Sequence, residues 1–232
     1  MRNIDNTQKG VQYIMDVHHT LDAKQQSIIP IAAFTANGDL DKLKTALQRG
    51  LAAGLTVNEI KEILVHLYAY TGFPRSLNGL NTFMALLKER QEQGIEDETG
   101  PEASPLPAEM NKDEYGANVR AKLAGWEAVP PPGGYQLFAP IIDTFLKEHL
   151  FADIFARDVL DFRSRELVTI SALACMTGTA GQLYFHLGAA MNTGLSEAQI
   201  REFIAVLKDK VGSEEAEGAT AVLTQVINSR AK

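Results

Sequence analysis

The chain has 232 residues, of which 45% are hydrophobic and 22% are charged, and its formal net charge is −7. This composition is typical of a globular protein, whereas the acidic balance argues against a general nucleic-acid-binding surface, which needs a basic face. The single cysteine excludes an intramolecular disulfide and a cysteine-rich metal site, and no apolar run is long enough to predict a membrane span.

Apolar residues at helical spacing predict a series of α-helices in the first part of the chain. The predicted helices cover residues 10–19, 23–36, 40–53 and 75–93, with a further helix that starts at Thr56. Thr56 and Glu59 have the spacing of a capping box, in which each side chain accepts a hydrogen bond from the other residue's backbone N–H. Gly72-Phe73-Pro74 predicts that this helix ends or bends there, because proline lacks a backbone N–H.

The rest of the chain also reads as helical. Residues 94–108 are acidic and rich in proline, glycine and serine, which predicts a linker, and a proline-rich connector covers residues 129–134. The predicted helices cover residues 111–126, 135–156, 163–176, 182–193 and 197–211. The longest of them, 135–156, carries an apolar stripe of Leu137, Ile141, Phe145, Leu150 and Ile154. No alternating strand pattern is present, so the predicted class is all-α.

The sequence contains an internal repeat of two copies. Residues 26–87 fall on residues 166–227 when they are moved forward by 140 positions. The matching positions are mostly glycines and apolar residues, such as Gly38 on Gly178, Leu47 on Leu187, Gly54 on Gly194, Ile60 on Ile200 and Gly72 on Gly212. Because a helical repeat buries its apolar face against a neighbour, we expect two copies related by a pseudo-twofold axis. The expected units are residues 1–93, a linker with one helix at 94–134, and residues 135–232.

The polar residues differ between the copies. Glu166 and His186 of the second copy face Gln26 and Ala46 of the first, while His66, Arg75 and Asn78 of the first face Val206, Glu215 and Gly218 of the second. Each copy has therefore lost polar groups that the other keeps, which predicts one composite site per chain.

The strongest candidates for chemistry are His186 and Glu166. Histidine exchanges a proton near neutral pH, and a carboxylate can hold an imidazole in one tautomer. The two residues are 20 positions apart, so an antiparallel helical hairpin would bring them together. The alternatives are a core histidine and a glutamate that only favours the start of its helix.

Four residues of the first copy are candidates for substrate binding. Arg75 can bind a carboxylate through two parallel donors, and Asn78 can orient a substrate oxygen. His66 and Tyr70 are four residues apart and share a helical face. Each of the four also has a structural alternative, namely a surface ion pair, a turn cap or a place in the core.

Cys175 is a candidate reactive thiol. It lies in the apolar run Leu173-Ala174-Cys175-Met176, so a buried inert thiol is expected. A one-cysteine peroxidase would need this thiol to be exposed and close to a cation.

Two stretches resemble the carboxymuconolactone decarboxylase family, whose peroxide-reducing branch includes alkyl hydroperoxidase D. They are His66-Leu-Tyr-Ala-Tyr-Thr-Gly-Phe-Pro-Arg-Ser-Leu-Asn78 and Arg165-Glu-Leu-Val-Thr, the latter followed by Phe185-His186 and Gly194-Leu195. The chain is similar to tandem-repeat members, in which one chain stands in for a dimer of one-copy enzymes.

The resemblance implies an all-α fold and homo-oligomers, often trimers of such pairs. It implies either decarboxylation of a small lactone carrying carboxylates or peroxide reduction by a Cys-x-x-Cys pair with a nearby glutamate and histidine. Glu166 and His186 match the family's acid and histidine positions, but Thr177-Gly178-Thr179-Ala180-Gly181 stands near the expected cysteines.

These observations favour a lyase that acts on a small carboxylated lactone or related acid by general acid–base chemistry, with neither metal nor organic cofactor. An antioxidant peroxidase using Cys175 and a non-catalytic helical binding module are the alternatives. The expected partner is a small molecule, with neither nucleic acid nor membrane. Because Met1–Gly10 lacks the apolar stretch of a signal peptide, we expect a cytoplasmic location unless an export signal has been removed.

Overall fold

A computed structural model of the protein describes residues 20–231, and the predicted helix at residues 10–19 lies outside this range. All regular secondary structure in the described range is helical, so the predicted all-α class is confirmed. None of the helices found between residues 20 and 231 combines the length and the apolar character that crossing a membrane requires.

The first copy consists of α1 (Ala23–Asn37), α2 (Leu40–Ala52) and α3 (Val57–Glu92). Asp22, Asp39 and Thr56 cap the three helices by accepting a hydrogen bond from the backbone N–H three residues further on. The predicted capping box is present, because Glu59 in turn accepts from the Thr56 N–H at 2.7 Å. Local side-chain chemistry therefore defines where each helix begins.

Helix α3 is sharply bent at Gly72. This glycine has φ 77° and ψ 161°, a combination that side-chain-bearing residues essentially never adopt, and Pro74 follows it. The Ser76 hydroxyl donates to the Leu64 carbonyl at 2.8 Å, so the segment after the bend packs back against the segment before it. The predicted interruption at Gly72-Phe73-Pro74 is thus a bend that brings the two halves of α3 together.

The second copy follows the same order, and its final helix is the counterpart of the second half of α3. Its helices, after the segments described below, are α7 (Phe162–Leu173), α8 (Ala180–Asn192), α9 (Glu197–Lys210) and α10 (Ser213–Arg230). Gly212 separates α9 from α10 at the position that corresponds to Gly72. The tandem repeat is confirmed, although the sequence patterns predicted no helix after residue 211 and so missed α10.

The two copies meet through their first helices. Helix α1 packs directly against α7. All residues from Ile28 to Ala36 and from Arg165 to Leu173 are buried. Because nine consecutive residues bury every side of each helix, these two helices form the centre of the shared core.

The connection between the copies is fixed to the first copy. The backbone N–H groups of Val57 and Asn58 donate to the carbonyls of Glu98 and Thr99, both at 2.9 Å. The linker therefore supplies partners that the free first turn of α3 lacks. It then leads to α4 (Lys112–Ala124).

The prediction of one unbroken helix over residues 135–156 is wrong. The segment divides into α5 (Tyr135–Phe138), α6 (Pro140–Thr144) and a π-helical stretch (Phe145–Ile154), which packs along α4. Pro140 is the physical reason for the first break, since it has no N–H to donate to the preceding turn. The predicted apolar stripe also divides, because Leu150 and Ile154 are buried whereas Leu137, Ile141 and Phe145 are exposed.

The bend at Gly72 gives a test of the fold. We expect Gly72→Ala to lower the free energy of unfolding by about 1–3 kcal/mol, because alanine is strained at this φ and ψ. Urea unfolding followed by circular dichroism measures this change.

The matched control for that experiment is Gly218→Ala. Gly218 lies inside α10, and a Cβ there meets no atom within 4 Å. This exchange should raise the free energy of unfolding by about 0.5–1 kcal/mol. Equal effects of the two exchanges would contradict the strained bend.

Candidate functional site

A cluster of buried polar side chains lies where three helices of the two copies meet, and we call it the buried cluster. Helix α3 contributes residues at intervals of four, which share one face. Helix α7 faces this stripe, and α8 adds an imidazole. The members of the buried cluster are Glu62, His66 and Tyr70 from α3, Arg165, Glu166 and Thr169 from α7, and His186 from α8.

Glu166 and His186 form a buried pair. The His186 Nδ1–H donates to Glu166 Oε2 at 2.8 Å. Glu166 is 0% exposed and His186 is 6% exposed. An ionised carboxylate can only accept a hydrogen bond, so this bond places the proton on Nδ1. The other ring nitrogen, Nε2, is not used in the bond to Glu166. The structure thus brings together the two residues that the sequence singled out for acid–base chemistry.

His66 is held as a neutral imidazole by two partners. The Thr169 hydroxyl donates to the Arg165 carbonyl at 2.9 Å, so it accepts from His66 Nε2–H, also at 2.9 Å. His66 Nδ1 then accepts from the Arg165 guanidinium at 3.3 Å. Burial, followed by the positive charge of Arg165, lowers the pKa of His66 well below its ordinary value.

Arg165 is fully buried and is paired with a carboxylate of the other copy. It donates to Glu62 Oε1 at 2.7 Å and to the Arg157 carbonyl at 2.6 Å. The Arg157 guanidinium binds the same carboxylate, with its Nη2 2.9 Å from Glu62 Oε2. Two arginines and one glutamate therefore anchor the base of the cluster.

Tyr70 lies between the two imidazoles. Its ring centroid is 5.3 Å from that of His66 and 5.5 Å from that of His186. Burial, with the negative charge of Glu166 as the next cause, raises the pKa of the Tyr70 phenol well above its ordinary value, so it stays protonated. Neither the Tyr70 hydroxyl nor Glu166 Oε1 has a hydrogen-bond partner among residues 20–231. A buried polar atom without a partner is costly, so these two atoms are free to bind a polar ligand group or water.

The structure places Arg75 and Asn78 away from this cluster. Both side chains are exposed, and Arg75 donates to the Ala36 carbonyl at the end of α1. The cluster of a single chain therefore contains His66 and Tyr70 from the predicted substrate-binding set, and their role in binding stays a prediction.

Cys175 packs against the main core at the end of α7. Burial, and then the negative charge of Glu215, raises the pKa of its thiol to about 12. At neutral pH the thiolate, which is the reactive form, is therefore a minor species.

Sequence patterns missed Glu62, Arg165 and Thr169 as members of the site. A signal for two of them was present: Arg165 is a charged residue directly before Glu166, and Glu62 lies one helical turn before His66. Thr169 gave no such signal, because threonine is common on buried helices that can accept its hydroxyl hydrogen.

Two clefts lie beside the buried cluster. One lies at α4 and α7 and the other at α8 and α10, and their walls include Phe155 and Phe185, which pack against His66 and His186 respectively. Within the described range, the structure contains no group of three or more potential metal-ligating side chains.

A comparison with known protein families agrees with the two-copy fold. The Carboxymuconolactone decarboxylase family matches the chain over residues 3–83 and again over residues 142–225. These two regions correspond to the two copies and contain every member of the buried cluster. No curated protein matches the chain.

The neutral state of His66 makes stability depend on pH. Above its ordinary pKa of 6.5 both the folded and the unfolded states carry a neutral imidazole. Below that value only the unfolded state binds the proton, so stability falls as pH falls, by at most about 1.4 kcal/mol per pH unit. Relative to the wild type, His66→Gln should lose this slope between pH 6.5 and 5, as measured by urea unfolding at each pH.

The exposed His149 provides the control for that measurement. His149→Gln retains His66 and should keep the part of the slope that His66 causes, since His149 is half-exposed and, among residues 20–231, its ring hydrogen-bonds with Asp153. Identical pH slopes for the wild type and His66→Gln would show that His66 is not held neutral.

The raised thiol pKa predicts that Cys175 reacts slowly. At neutral pH we expect iodoacetamide to alkylate the native thiol on the order of a hundredfold more slowly than the thiol of the unfolded chain. The matched control is the double variant Cys175→Ser, Thr224→Cys, which moves the only thiol to an exposed position on α10. Rapid alkylation of native Cys175 would instead favour a reactive thiol.

Proposed function

The protein belongs to the carboxymuconolactone decarboxylase family, and from this premise we propose that it is a lyase that decarboxylates a small lactone carrying carboxylates, or a related acid. The proposed chemistry is general acid–base catalysis by His186 and Glu166. The observation that supports it most is the buried 2.8 Å hydrogen bond between these two side chains. A charged or polar pair is costly to bury, and here it leaves one imidazole nitrogen free to react.

The proposed step needs one proton. The substrate carboxylate leaves as CO2, and the electron pair of the broken bond moves into the conjugated carbonyl to give an enolate. The carbon that lost the carboxylate then takes a proton from His186 Nε2, and the imidazole recovers that proton from solvent. Glu166 stabilises the charged imidazole before the transfer and holds its orientation throughout.

Tyr70 is the group that we assign to the enolate oxygen. Its hydroxyl is protonated, lacks a protein partner in the described range and lies in the same cluster as the free oxygen of Glu166. A donor that is already oriented towards a developing negative charge lowers the barrier most effectively. Both nitrogens of His66 are occupied by Thr169 and Arg165, so we assign His66 to positioning Tyr70 and not to direct contact with substrate.

Access to the cluster is part of the proposal. His186 is only 6% exposed, so substrate entry requires movement of the aromatic side chains around it. Phe185 packs edge-on against His186 at 5.1 Å between ring centroids and is the nearest such group. Closure of this kind would exclude water from the enolate.

We also infer that the chain forms a homo-oligomer, with a trimer of two-copy chains as the expected form. The support is a set of large apolar side chains that a single chain leaves exposed, namely Phe73, Leu77 and Met84 on α3 and Leu137, Phe138, Ile141 and Phe145 near α5 and α6. Contiguous exposed apolar surface commonly marks a protein interface.

Peroxide reduction is the weaker alternative. It would have to use Cys175, whose pKa is raised by burial, and no second cysteine exists in the chain to form a disulfide with it. The lyase proposal needs no thiol.

Substitution of the pair tests the proposal. With carboxymuconolactone as substrate, His186→Gln should lower kcat by about 10²–10⁴-fold and Glu166→Gln by about 10²-fold or more. CO2 release and proton uptake are measured together, since decarboxylation consumes one proton for each CO2.

The control is again His149→Gln, which should keep the wild-type rate because His149 lies outside the buried cluster. Unchanged turnover in His186→Gln would remove the pair from the mechanism. Consumption of the lactone without CO2 release would indicate an isomerase or a hydrolase. A wild-type protein that binds the lactone without converting it would support a non-catalytic binding module.

A further inference from the structure

An open cleft of about 500 Å³ lies between α4, the end of the π-helical stretch and the start of α7, and we call it the Arg163 cleft. Its walls include Tyr115 and Lys122 of α4 and Phe162 and Arg163 of α7. We propose that the Arg163 cleft binds a small organic anion, in which a carboxylate is attached to an aromatic or similarly apolar ring.

The acidic residues of the cleft already have partners. Asp158 accepts from the Ser104 N–H at 2.8 Å and from its hydroxyl at 2.6 Å. Asp161 caps α7 by accepting from the Ser164 N–H at 2.7 Å. Arg157, which also lines the cleft, is bound to Glu62. Both carboxylates therefore have hydrogen-bond partners within the protein, and among the described residues neither lies within salt-bridge distance of the two remaining cations of the cleft.

Lys122 and Arg163 are those two cations. Neither side chain lies within salt-bridge distance of a carboxylate in the described part of the chain. The Lys122 ammonium lies 5.0 Å from the centroid of the Phe162 ring, and the buried Nε of Arg163 has no hydrogen-bond partner between residues 20 and 231. A buried guanidinium donor without an acceptor is costly, and a bound carboxylate would supply the acceptor.

The Arg163 guanidinium lies directly against Gly194. A Cβ at position 194 would lie only 2.9 Å from Arg163 Nη2, so any larger residue would displace the guanidinium from its place. The first copy has Ala23 at the position that corresponds to Arg163. The cationic cleft is therefore a feature of the second copy alone, as are Glu166 and His186.

The other walls of the cleft define the body of the ligand. Tyr115, Phe155, Leu160 and Phe162 present aromatic and aliphatic surface below the two cations. A volume of about 500 Å³ lies within the range of pockets that bind small organic molecules. A ring that carries one carboxylate can lie on this apolar surface while its charge meets Lys122 and Arg163.

Binding of benzoate to the full-length protein tests the proposal. Isothermal titration should show millimolar or tighter binding of benzoate and no binding of benzamide, its neutral analogue. Arg163→Gln and Lys122→Gln should each weaken benzoate binding by about tenfold, because each removes a charge-assisted hydrogen bond. Arg201→Gln is the matched control, since Arg201 is exposed and already paired with Glu197, and it should bind as the wild type does.

Two further results decide the location of the ligand. Benzoate affinity should be unchanged in His186→Gln, and its loss there would place benzoate at the buried cluster and overturn the proposal. Failure of the wild type to bind benzoate at millimolar concentrations, or wild-type affinity in Lys122→Gln, would also overturn it. Lys122 is exposed on α4, so that variant remains informative even if Arg163→Gln unfolds.

Discussion

A buried ion pair between Glu62 and Arg165 joins the two copies at the base of the candidate site. One partner lies on α3 of the first copy and the other on α7 of the second, with 2.7 Å between Arg165 Nη2 and Glu62 Oε1. Removing either partner would leave an uncompensated charge in the interior, which typically costs about 3–5 kcal/mol. The guanidinium of Arg165 also sets the tautomer of His66, and the backbone carbonyl of Arg165 orients Thr169. The arrangement around Tyr70 and His186 therefore depends on a contact that neither copy can make alone.

The pseudo-twofold axis relates the ion pair of Glu62 to a second, equivalent position between the copies. Glu202 corresponds to Glu62, and it accepts from Gln26 Nε2 at 3.0 Å and from the Leu21 N–H at 2.6 Å. The pairing between copies is thus retained, but an amide and a backbone group replace the buried arginine. Gln26 and Ala46 stand where the other position has Glu166 and His186, so the carboxylate–imidazole pair has no counterpart there. A contact between the copies is present at both positions, whereas the buried carboxylate–imidazole pair is present at one.

Much of the fold could be predicted because its signals are local. These signals include the capping side chain of Thr56, the glycine at the bend and the spacing of apolar residues along each helix. Each of them acts within a few positions of the chain. The pairing of Glu166 with His186 followed from one helical hairpin. The partnership of Glu62 with Arg165 could not be predicted, since 103 positions separate them and the tertiary packing of α3 on α7 brings them together. The orientation of Arg75 and the exposure of Phe145 depend on the same tertiary geometry, and helical periodicity does not report it.

The fusion of two copies into one chain has a consequence for how a molecule is recognised. In a symmetric pair of identical subunits, every residue change appears at both ends of the axis, so the two ends must present the same groups to a ligand. The linker held against Val57 and Asn58 makes the two halves permanent and unequal partners. Each half can then specialise, one in supplying the tyrosine and the other in supplying the imidazole and carboxylate. An asymmetric ligand that binds between the two halves can therefore bind in one orientation, whereas a symmetric pair would offer it two equivalent orientations.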